Sequence, residues 1–145
     1  MSHITNTVLM IRPVQFRMNE QTAVNNFYQK NSETTHPETV NAKATQEFDL
    51  MVDKLREAGI QVIVVKDTKD FDTPDSIFPN NWISFHSNGT IGLYPMFAEN
   101  RRLERKDSIL EAVEAEGFVI ETVVDYTQAE AEDLYLEGTG SILLD

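Results

Sequence analysis

The sequence predicts an α/β fold assembled from repeated strand, helix and strand units. Three observations point to it. Two β-branched runs each follow a helix-like segment across a single glycine, Gly59 and Gly117; the apolar residues before each glycine recur at helical spacing; and a proline-led motif precedes each helix.

The first element is a short buried strand. Thr7-Val8-Leu9-Met10-Ile11 is β-branched and apolar, and Arg12-Pro13 stops it where proline removes a donor. From Pro37 the residues Val40, Ala44, Phe48, Met51, Val52 and Leu55 share one helical face, and Gly59 stands where a left-handed cap belongs. Ile60 to Val65 then reads as a buried strand rich in Val and Ile. Trp82 to His86 and Thr90 to Tyr94 alternate around Asn88-Gly89, the signature of an antiparallel hairpin.

Leu103, Ile109, Leu110 and Val113 place a helix over 101–116, closed by Gly117 and followed by a strand from Phe118 to Val124. After the acidic connection of Glu130, Glu132 and Asp133, Ser141-Ile142-Leu143-Leu144 reads as the start of another strand. The halves overlay. Pro13, Phe16 and Asn19 match Pro95, Phe97 and Asn100, and the polar segment from Asn19 to Pro37 holds the extra residues of the first unit as a long loop. Such repetition implies a modular architecture in which each unit buries one face against its neighbours.

The chain has 145 residues, enough for one domain and too few for two. Its formal net charge of −12 repels phosphate backbones, so nucleic acid is not an expected partner. No stretch approaches the roughly 18 apolar residues of a membrane helix, and the first residues lack the layout of a secretion signal, which makes the cytoplasm the default location. With no cysteine, disulfides, thiolate metal sites and a thiol nucleophile are excluded within these residues. His3, His36 and His86 lack ligand spacing, and no cluster suggests a metal or an organic cofactor.

Three segments could carry chemistry. Pro74-Asp75-Ser76-Ile77-Phe78-Pro79-Asn80-Asn81-Trp82 encloses an Ile-Phe pair with a carboxylate and two carboxamides; composition alone favours a turn, and polar groups beside apolar ones also suit a ligand site. Phe97 to Arg105 clusters Arg101, Arg102 and Arg105 where a helix begins, against the helix dipole. Arginine forks bind carboxylates, whether those of an amino acid or of Glu99 and Glu104. Leu136-Glu137-Gly138-Thr139-Gly140-Ser141 places a carboxylate at a glycine-rich turn.

Taken together, these segments resemble the guanidino-group modifying superfamily of arginine deiminases, dimethylarginine dimethylaminohydrolases and amidinotransferases, closest to its citrulline-hydrolase and putative-amidinotransferase branch. The resemblance runs from Val8 onward. It implies an α/β pentein-type propeller of ββαβ modules, of which this chain would hold one over about 7–65, a second over about 82–124 and the start of a third over about 134–145. Family members run to about twice this length, so the chain is expected to be an N-terminal part.

The resemblance also implies site roles. Asp75 matches an aspartate that contacts substrate, Arg101 an arginine that holds its carboxylate, and Glu137 the catalytic acidic residue of a Glu-x-Gly-Asp motif. Gly140 stands where that motif often ends in Asp. Asn80 and Asn81 replace the Glu-Asp of the dimethylarginine hydrolases and the Arg-Asp of the deiminases. An amide offers one acceptor and two donors, which suits a neutral ureido group better than a guanidinium, so Asn81 leans toward citrulline. A cap of the turn is the structural alternative for it.

The expected function is hydrolysis of a ureido or guanidino amino acid, citrulline before arginine, with the family's cysteine and histidine lying outside the chain. Amidino transfer and non-catalytic binding of an amino acid are the alternatives. Without a thiol the chain alone is expected to be inactive, and its uncovered edges are expected to self-associate.

Overall fold

The computed structural model describes residues 5–24 and 36–142. Strand β1 (Thr7–Arg12) leads to helix α1 (Pro37–Glu57) and strand β2 (Gln61–Lys66), and β1 pairs β2 in parallel from Thr7 opposite Gln61 to Arg12 opposite Lys66. Proline opens α1 in its first turn, Glu38 lies at its positive end, and Lys54 and Arg56 lie at its negative end. The expected apolar face is present with one exception. Phe48 and Val52 are buried, whereas Met51 lies at the edge of the stripe and is 53% exposed.

Gly59 has φ +82° and donates to the Arg56 carbonyl, while Ile60 donates to the Leu55 carbonyl. Two such bonds make a Schellman ending, which needs a left-handed residue. Gly117 repeats it at φ +96°, donating to Glu114 while Phe118 donates to Val113. The two glycine-ended helices are thus the same local solution.

The second unit contains strands β3 (Ile83–Phe85), β4 (Thr90–Leu93) and β5 (Thr122–Asp125), helices α2 (Glu99–Arg102) and α3 (Asp107–Ala115), and a three-stranded sheet in the order β3-β4-β5. The β3-β4 pair is antiparallel, turned at Gly89 with φ +76°, and β4-β5 is parallel. The first unit holds only strand, helix and strand among the described residues, so the leading strand of a ββαβ unit is absent there.

Three other expectations change. The helix over 101–116 is two helices. Lys106 is extended between them, with φ −110° and ψ 134°. On a continuous helix Glu104 and Lys106 would point about 200° apart, yet here both reach inward, Glu104 to Arg101 and Lys106 to Asp67. The arginine cluster consequently does not oppose a dipole, because Arg101 and Arg102 occupy the last turn of α2 behind Glu99.

Strand β5 also starts later than Phe118. Glu121 and Thr122 donate to the Gly89 carbonyl where pairing begins, and Phe118 packs edge-on against Phe85 at 5.3 Å. Finally, Ser141 closes a helical turn, α4 (Gly138–Ser141), instead of opening a strand, and only Ile142 is extended. Gly138 sets this turn against the Asn80 carbonyl more closely than a residue with a side chain could, since a Cβ there would come within 2.6 Å of that oxygen. Leu143 and Leu144 lie outside the described residues, as do 25–35 of the expected loop and His3.

Two apolar cores flank the β1-β2 sheet. Val8, Met10, Val62 and Val64 meet Phe48 and Val52 of α1 on one side, and Leu9, Ile11 and Val65 meet Trp82, Ile83, Ile91, Met96 and Ile109 on the other. Strand alternation puts successive residues on opposite faces, so two-sided burial explains why β1 and β2 are apolar throughout.

Candidate active site

The segment 73–82 is a chain of tight turns. Ser76 donates to Thr73, Phe78 to Asp75, Asn81 to Phe78 and Trp82 to Pro79, the last two across a 3-10 turn of Pro79–Asn81. Thr73 and Pro74 are fully buried and Trp82 anchors the end at 1% exposure, with its indole N–H buried and unpartnered among the described residues. The enclosed pair is less buried than its composition implied. Ile77 is half-buried and Phe78 is 44% exposed.

This turn carries Asp75 inward. Asp75 is 7% exposed, and its Oδ2 accepts from Asn19 Nδ2 at 2.7 Å and Thr22 Oγ1 at 3.3 Å. Among the described residues its other oxygen, Oδ1, accepts no hydrogen bond. Asn80 is exposed and Asn81 half-buried at the turn's outer side.

Arg101 lies beneath the turn at 4% exposure. Its Nε and Nη2 grip the two Glu104 oxygens at 3.0 and 3.1 Å, and Nη2 also donates to the Phe78 carbonyl at 3.0 Å and toward that of Asp75 at 3.5 Å. The remaining nitrogen, Nη1, lies 4.0 Å from Glu137 Oε2. So most of the guanidinium fork is engaged by this chain, and one nitrogen faces Glu137. Of the two carboxylates that could pair with the arginines, Glu104 does so while Glu99 is exposed.

Glu104 is itself 2% exposed, and burial pushes its carboxyl up to about 7, opposed by the hydrogen bonds and charge of Arg101 and reinforced by Asp75 and Asp67. Nearby, Lys106 bonds Asp67 at 2.5 Å and Thr73 donates to the same carboxylate at 2.9 Å. Arg105 grips Glu130 at 2.7 and 3.0 Å, and Arg102 binds the Met96 carbonyl. The four cations of 101–106 thereby tie the second unit's helices to surrounding loops.

Glu137 precedes α4 and is only partly exposed, with 29% of its side-chain surface accessible. Gly138 seats that turn on Asn80 and Asn81, because a Cβ would meet the Asn80 carbonyl at 2.6 Å and that of Asn81 at 3.3 Å. Arg101 therefore meets both the Asp75 carbonyl and Glu137, with Asn80 and Asn81 at the adjoining backbone, while the Asp75 carboxylate is held by Asn19 and Thr22. Glu104 and the Asn19-Asn100 pair were not singled out for the site. The i,i+3 spacing of Arg101 and Glu104 is the one local signal for the former, and the repeated proline motif for the latter. Of the histidines, His36 is exposed before α1 and His86 contacts Ser84 at 3.0 Å. Among the described residues no group of three or more His, Asp or Glu is placed to hold a metal, and no helix is long and apolar enough to cross a membrane.

Solved structures place the fold in a class. The cyanobacterial arginine dihydrolase ArgZ in its apo form matches with a TM-score of 0.66 at 22% identity, over 96% of this chain and 18% of that one. The N-terminal domain of ArgZ matches twice: as an Asn-to-Ser variant covalently bound to a reaction intermediate, with TM-score 0.63 and 21% identity, and as a Cys-to-Ser variant bound to substrate, with TM-score 0.62 and 22% identity. This chain spans 44% and 45% of those two domains. The fold is of the α/β pentein type found in guanidino-group modifying enzymes.

Residues 12–145 match the family described as N,N dimethylarginine dimethylhydrolase, eukaryotic, and the chain belongs to that family. No curated protein sequence gives a significant match.

Proposed function

We propose that these residues form one side of the active site of a Cys-dependent hydrolase acting on a ureido or guanidino amino acid, citrulline first and arginine second. The observation that carries it is that Arg101, beneath the 75–81 turn, meets both the Asp75 carbonyl and Glu137, in a chain of the dimethylarginine hydrolase family. In this reading the open Oδ1 of Asp75 accepts from substrate nitrogen. Arg101 Nη1 is the guanidinium nitrogen left for the substrate carboxylate. Glu137 takes up a second nitrogen, and Asn81 offers one acceptor and two donors to the ureido group. Among the described residues the Asn81 carboxamide has no hydrogen-bond partner, which suits a group kept for a ligand.

The nucleophile is a thiolate from beyond these 145 residues, which contain no cysteine. Its sulfur bonds to the ureido carbon, ammonia departs with a proton from a histidine supplied alongside, and water then releases the adduct. The β1-α1-β2 and β3-β4-α2-α3-β5 units are successive modules of the propeller, about 7–65 and 82–124, with 134–145 opening a third. Their parallel strand pairs across Schellman-ended helices support this. A second reading, an amino-acid-binding domain without turnover, holds if the intact protein supplies no thiol at this site; self-association through uncovered edges goes with it.

The test is kcat/KM for citrulline and arginine in the intact protein and its Asn81→Asp variant. Removing the donors should cost about 2 to 4 kcal/mol for citrulline and less for arginine. An unchanged ratio between substrates sinks the citrulline preference. Turnover of neither by the intact parent, with either substrate still bound, establishes the binding reading instead.

A further inference from the structure

Asn19 and Asn100 are the residues matched by the repeated proline motif, and they face each other. Asn19 Nδ2 donates to Asn100 Oδ1 at 3.1 Å, and Asn100 Nδ2 donates back to Asn19 Oδ1 at 2.9 Å. Such a ring of two amides satisfies buried polar groups without charge, and Asn19 at 0% and Asn100 at 6% exposure need it. The pair is not symmetric in its surroundings. Asn19 alone reaches Asp75, spending the second hydrogen of Nδ2 on Oδ2 at 2.7 Å, while its Oδ1 also accepts from the Gln21 peptide N–H at 3.1 Å.

The carboxylate fixes which way the amide lies. Turned over, Asn19 would set its oxygen 2.7 Å from Oδ2 and its NH2 against a peptide donor. A second donor, Thr22 Oγ1, meets the same Oδ2 at 3.3 Å, and Gln21 Oε1 accepts from the Asn100 peptide N–H at 3.0 Å, tying the loop to α2.

We infer that Asn19 is a positioning residue for Asp75: locked by its amide ring with Asn100, it holds Oδ2 and so turns Oδ1 toward the substrate. The inference rests on the reading that Asp75 touches substrate. It gives the loop after β1 a part in a site otherwise built from the 74–82 turn, α2 and the segment before α4.

The test uses the intact protein with citrulline and the isosteric variant Asn19→Asp. The charged groups around the introduced carboxyl are Asp75 and, through the Asp75 carbonyl oxygen, Arg101 with its partner Glu104, whose own titration is present in the parent and in both variants. At pH 8, kcat/KM should fall about 10- to 100-fold, the size of a lost hydrogen bond to a charged group. Toward pH 5 the loss should narrow, because the protonated carboxyl donates again. Asn100→Asp damages the same ring without removing the Asp75 donor, and should lower the melting midpoint as much while costing less than about threefold in kcat/KM. Equal losses in the two variants, or a loss independent of pH, overturn the proposal. A crystal structure of Asn19→Asp at pH 8 reads it without turnover: Asp75 should rotate off its present orientation, and an unmoved Asp75 overturns it. If Asp75 rotates but Asp75→Asn keeps the parental kcat/KM, the reading of Asp75 as a substrate contact fails instead.

Discussion

The first unit spans its crossover with one unbroken helix of 21 residues, while the second breaks the equivalent span into α2 and α3. Both end in the same glycine motif and return a parallel strand, so the difference lies in what the helix must reach. In the first unit the cations stay outside: Arg12 pairs with Asp49 and Arg17 with Glu20 and Asp72, all on partly exposed side chains. In the second, Arg101 pairs with Glu104 at 5% and 2% side-chain exposure. A regular helix suffices to cover a sheet. Directing several charges inward to different loops requires the backbone to turn between them.

The comparison breaks if the two kinds of ion pair behave alike. Arg101→Ala should destabilise by about 3 to 5 kcal/mol, since it strands a buried carboxylate with Asp75 and Asp67 nearby. Arg12→Ala should barely move the urea midpoint, because Asp49 falls back on water. Similar midpoint shifts in the two variants would mean that Glu104 escapes burial when its partner is removed.

Glu104 sharpens the contrast through pH. Its carboxyl is raised from 4.5 to about 7 by burial, so between those values the folded chain holds more protons than the unfolded one. Its contribution is therefore full below about pH 4.5 and is lost as pH rises through 7, an effect on the order of 3 kcal/mol. Glu104→Gln should flatten that part of the stability profile. An identical slope with glutamine in place would assign the titration to another group.

The smallest effect tests what the units share. Gly59→Ala and Gly117→Ala each place a Cβ at positive φ with nothing within 4 Å, so both should cost about 1 kcal/mol from backbone strain alone. Unequal costs would show that one helix ending is supported by tertiary contacts that the other lacks.

These contrasts mark what the sequence by itself determined. The helical stripe of α1, the glycines at 59 and 117, the Asn88-Gly89 hairpin and the apolar runs of β1 and β2 follow from period, propensity and the sign of φ, all decided within a few residues. The carboxylates, carboxamides and arginines of 74–82, 97–105 and 136–141 announce that something polar is enclosed there. They do not say by what. The tertiary structure alone decided that Lys106 interrupts a helix, that Ser141 closes a turn, and that Arg101 spends its fork on Glu104 and the Phe78 carbonyl. It likewise joined Asn19 to Asn100 across 81 positions and to Asp75 across 56. A buried polar group takes whichever partner the packed chain brings within about 3 Å, and that choice is made only when distant segments meet.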